Sequence, residues 1–103
     1  MDVQHSKNLE HFYSEFLNAN TWAQRKDGVP LELLNKLSTE ELKIAESELI
    51  RVVSINDPWP ILGLGHIKSS ASLSKLYALL AKGSGYIRTI LAYAIFSICG
   101  SLS

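Results

Sequence analysis

Helix-start and helix-stop signals recur at short intervals along this chain, and the apolar residues between them repeat at three- and four-residue spacing. That pattern restricts the chain to a set of short amphipathic helices. Leu9, Phe12, Tyr13, Phe16 and Leu17 form the first stripe and predict a helix from Lys7 to Ala19. Asn18, Asn20 and Thr21 end it, and Trp22 to Gly28 reads as a loop closed by the turn dipeptide Asp27-Gly28. Pro30 suits a first helical turn, where its missing N–H costs little, so a helix is predicted from Pro30 to Leu37. Ser38 and Glu41 stand in capping-box register and start the next helix, which carries Leu42, Ala45, Leu49, Val52 and Val53 on one side and runs to about Ser54. Asp57 can cap a further helix with Pro58 in its first position, and Pro60, Gly63 and Gly65 keep that helix short. After a turn at Lys68-Ser69-Ser70 come a helix from about Ala71 to Lys82, closed by Gly83-Ser84-Gly85, and a last one from Tyr86 to Cys99, stopped by Gly100. No segment alternates apolar and polar residues with the period of two that a half-buried strand needs.

With 103 residues, 47% of them hydrophobic, the chain fits one domain with a modest core. The expected organisation is residues 1–55 as N-terminal helices and 56–100 as a repeat-like region. Ten basic residues balance ten acidic ones, so there is no global positive field for non-specific nucleic-acid binding. The charges are segregated, however. All ten acids lie in residues 1–57 beside six basic residues, a net of −4, whereas residues 58–103 hold Lys68, Lys75, Lys82 and Arg88 with no acid, a net of +4. A two-sided molecule is expected. The single cysteine, Cys99, excludes an internal disulfide and reads as a core thiol among Ile95, Phe96 and Ile98. The first residues lack the layout of a secretory signal, and no stretch of about 18 apolar residues is present to span a bilayer. A cytoplasmic protein without membrane contact is the expectation.

Overlaying residues 56–70 on 87–101 places Trp59 over Ile90, Gly63 over Ala94, Leu64 over Ile95 and Ile67 over Ile98. Small falls on small and aliphatic on aliphatic, as in helices that occupy equivalent places in a stack. Asp57-Pro58, Ile61-Leu62-Gly63-Leu64-Gly65, Ile87-Arg88 and the run from Ala92 to Gly100 together resemble the short HEAT repeats of bacterial proteins, with Gly63 and Leu91 standing where that pattern has alanine. The resemblance covers about Asn56 to Gly100. It implies an all-α fold, a short right-handed α-solenoid of about five to six helices, whose inner surface binds another macromolecule and which performs no chemistry. In the same family Arg88 would brace neighbouring helices. In size and type the chain also resembles the immunity proteins encoded beside secreted bacterial toxins.

Candidates for chemistry are sparse. His5 and His11 are not at the spacing that aligns two imidazoles on one helical face, and His66 is isolated, so neither a metal nor a cofactor is expected. Gly63-Leu64-Gly65 follows no strand and lacks a third glycine, which leaves close helix packing or a helix end. Adjacent carboxylates such as Glu40 and Glu41 splay on a helix instead of converging. Lys75 and Lys82 share a helix face; they are either a basic strip for an acidic partner or a solvent face that keeps a leucine-rich helix soluble. The last helix is apolar nearly all round, with Ile87, Ile90, Leu91, Tyr93, Ile95, Phe96 and Ile98, so something should cover it: the N-terminal helix, a second copy, or a partner. Trp22 and Trp59 are either interface anchors or core side chains.

These features favour a non-enzymatic protein-binding module. In its concrete form it is an immunity protein that occludes a secreted toxin, a nuclease, with Glu32, Glu40, Glu41 and Glu48 occupying the positive ground that otherwise holds phosphates. The alternative is a homo-oligomeric or scaffolding protein that associates through its last helix.

Overall fold

A computed structural model of the chain describes residues 7–19, 25–26 and 28–100. Among these the protein is all-α, with six helices, and the only β-type pairing is an isolated bridge between Ser54 and Asp57. Helix α1, Lys7–His11, continues directly into a π-helical stretch, Phe12–Leu17, in which Asn18 N–H reaches the Tyr13 carbonyl at 2.9 Å. Leu9, Phe12, Phe16 and Ala19 are buried along it, much as their spacing requires. Trp22 and most of the loop predicted around it lie outside the described residues, as does His5.

Helix α2 is a single turn, Glu32–Asn35, shorter than the predicted Pro30–Leu37. The flanking residues close tighter i→i+3 bonds instead, Leu33 N–H to the Pro30 carbonyl and Leu37 N–H to the Leu34 carbonyl. Leu33, Leu34 and Leu37 are buried all the same. Helix α3, Thr39–Val52, opens on the predicted capping box: Ser38 Oγ accepts from Glu41 N–H at 3.2 Å, and Glu41 Oε1 accepts from Ser38 N–H at 3.0 Å.

Helix α4, Pro58–His66, begins as predicted, with Asp57 accepting from Trp59 N–H at 3.1 Å and Pro58 in the first position. It then continues through both glycines. Interior glycine costs a helix about 1 kcal/mol, and here close approach offsets that cost. A Cβ at Gly65 would lie 3.0 Å from Ala94 Cα; one at Gly63 would lie 2.9 Å from Phe16 Cζ and 3.1 Å from Leu49 Cδ1. Gly65 thus lets α4 meet the last helix, and Gly63 lets it meet the N-terminal ones. Helix α4 is the hub, with Trp59, Pro60, Ile61, Gly63, Leu64 and Gly65 all buried.

A 3-10 turn, Ser70–Ser72, leads into α5, Leu73–Lys82, and α6 spans Gly85–Cys99, ending on Gly100 in the left-handed conformation at φ 79°. Packing runs from the π-helical stretch onto α2 and α3, from α3 to α4, from α4 most extensively to α6, and from α6 to α5. Residues paired in the sequence overlay share burial: Leu64 with Ile95, Gly63 with Ala94. The molecule measures 43 × 30 × 19 Å. No helix among the described residues is long and apolar enough to cross a membrane.

One expectation is corrected: Cys99, the last residue of α6, is exposed and not part of the core, while Ile98 beside it packs against the core. Of the three covers that the sequence leaves open for α6, the N-terminal stretch packs instead on α2 and α3, and Tyr86, Tyr93 and Phe96 on α6 are left exposed.

Candidate functional site

The face of α6 turned away from α4 and α5 carries three of the four large hydrophobic side chains that are exposed among the described residues. Leu91, Ala94 and Ile95 point inward and are fully buried; Tyr86, Tyr93 and Phe96 point outward and are 71%, 62% and 50% exposed. At helical spacing Tyr86, Thr89, Tyr93 and Phe96 fall on one stripe, about 15 Å long at 1.5 Å per residue. Burying a large side chain contributes about 1.5–3 kcal/mol, so leaving three aromatic rings in water forgoes a sizeable stabilisation. Leu91 itself needs no neighbouring alanine, since Gly83 leaves room for it: a Cβ there would lie 3.3 Å from Leu91 Cδ1.

Three of the four cations of residues 58–100 are anchored at helix ends. Arg88 donates to the Leu80 carbonyl at 2.7 Å, in the last turn of α5. Lys68, itself in the left-handed region at φ 55°, donates to the Ser97 carbonyl at 3.0 Å, in the last turn of α6. Lys75 does the same for α3, reaching the Ile50 carbonyl at 2.6 Å. Each long side chain thereby caps carbonyls left open at a helix C-terminus, where positive charge is favoured by the helix dipole. Lys82 is exposed at the end of α5, two residues after the carbonyl that Arg88 caps. Among the described residues the ion pairs are Arg25–Asp57 and Arg51–Glu48, so none of these four cations is matched with a carboxylate.

The acidic candidates do not form one surface. Glu32 and Glu40 are exposed in the first turns of α2 and α3. Glu41 is occupied by the capping box, and Glu48 is bound by Arg51 at 2.7 and 2.9 Å. Beside that pair sits Tyr13, whose hydroxyl is pushed above its ordinary pKa first by burial and then by the negative charge of Glu48, with Arg51 opposing. Glu46 accepts from Ser69 Oγ and so ties α3 to the turn before α5.

Trp59 is a core side chain, only 7% exposed. The Arg25 guanidinium carbon lies 4.2 Å from its ring centroid, and the Phe16 ring is 5.8 Å away. Arg25 also grips both carboxylate oxygens of Asp57 at 2.8 and 2.9 Å and donates Nε to the Ala19 carbonyl at 2.6 Å. That bidentate contact holds the Asp57 carboxyl below its ordinary pKa, reinforced by Trp59 N–H and opposed by burial. Nothing in the sequence paired Arg25 with residues more than thirty positions on; the only signal was an arginine in an otherwise loop-like run. His11, His66 and Cys99 lie on three different helices, and His66 Nε2 contacts Asn35 Oδ1 at 2.8 Å. Among the described residues no three His, Cys, Asp or Glu side chains gather as a metal site. No protein-family profile, no curated protein and no solved structure matches the chain.

Proposed function

We propose that this chain is a non-enzymatic protein-binding module whose docking surface is the outer face of α6. The observation that carries the reading is the stripe of Tyr86, Tyr93 and Phe96, held out on a rigid helix by a fully buried inner face. Tyrosine and phenylalanine are enriched in interface cores because they bring large contact area with few rotatable bonds. The dispersal of His11, His66 and Cys99 over separate helices supports a role without chemistry.

The HEAT-type reading of residues 56–100 remains part of the proposal. It is supported by the Asp57-Pro58 helix start, the close approach of Gly65 to Ala94, and Arg88 bracing the end of α5. Toxin neutralisation is the specific role proposed for such a module, with a cytoplasmic location. The acidic candidates lend it no common surface, since Glu32 and Glu40 are exposed on separate helices and Glu41 and Glu48 are engaged within the chain.

Two measurements test the proposal. Binding is tested by affinity capture with the wild-type chain and with a Tyr86→Ser, Tyr93→Ser, Phe96→Ser variant of unchanged melting temperature. A partner captured by the first and lost by the second supports the α6 face; equal capture sinks it. Neutralisation is tested by co-expressing the chain with the product of the neighbouring reading frame, and a frame whose product is harmless without the chain removes the toxin role.

A further inference from the structure

We draw no further inference here: the strongest candidate, the exposed aromatic patch of Tyr86, Tyr93 and Phe96 on the outer face of α6, belongs to the site already described, and nothing in the structure shows what covers it.

Discussion

At the scale of single residues, Arg25 joins parts of the chain that no local pattern connects. It stacks on Trp59, pairs with the Asp57 cap, and closes the end of the first helical stretch at Ala19. Because Arg25 and Asp57 are partly exposed, each contact is modest: an exposed ion pair contributes about 0–1 kcal/mol and a cation–π contact about 0.5–1 kcal/mol. Arg25→Ala is expected to cost about 1–2 kcal/mol in chemical denaturation. Asp57 adds a pH dependence whose sign follows from its lowered pKa. The stabilisation is present above the carboxylate's ordinary value and is lost as pH falls through the lower, folded value. Asp57→Asn keeps a capping oxygen for Trp59 N–H but removes the charge. Melting temperatures measured from neutral pH down to about pH 3 should show the variant below wild type at neutrality and the two curves converging in acid; parallel curves would rule this account out.

At the scale of elements, helix starts were legible and helix contacts were not. Ser38 with Glu41, and Asp57 with Pro58, mark starts through chemistry local to four residues, and both caps are present as read. Ser38→Ala is accordingly expected to cost about 1 kcal/mol, read from urea midpoints. In sequence, Gly63 and Gly65 read as keeping their helix short and as a site of close helix packing or a helix end, and α4 is a nine-residue helix packed closely at both; which helices they meet was not legible. What they serve is the distance to Ala94 and Phe16, which no neighbouring residue encodes. This gives an ordered prediction. At Gly65 an added methyl group meets Ala94 backbone at 3.0 Å, which cannot swing aside; at Gly63 it meets the tips of Phe16 and Leu49, which have some freedom. Gly65→Ala should be destabilising by about 1–3 kcal/mol. Gly63→Ala should cost clearly less, since alanine returns about 1 kcal/mol of helix propensity, and equal midpoints would show that the contact at Ala94 is not limiting. Cys99 was misplaced for a like reason: apolar neighbours in sequence do not fix burial, since Ile95 is buried, Ile98 partly buried and Phe96 exposed on the same helix.

At the scale of the whole molecule, the apolar surplus of the last helix was visible in sequence, while its distribution depended on where the other helices lie. Helix α6 has α4 and α5 on its inner side, and the N-terminal helices are engaged on the far side of α4, so a chain with this much apolar material still presents Tyr86, Tyr93 and Phe96 to water. Residues exposed in the folded state lose little when truncated, because they are about as hydrated folded as unfolded. Replacing all three by serine should therefore shift stability by no more than about 1 kcal/mol, in contrast to Leu76→Ala in α5, where a fully buried side chain carries about 2–5 kcal/mol. The native wild-type chain is expected to bind a fluorescent apolar dye, and the same triple variant to lose most of that binding. If stability fell as steeply as for Leu76, the three rings would be supporting the fold, and the outer face of α6 would be a structural surface with no need of a partner.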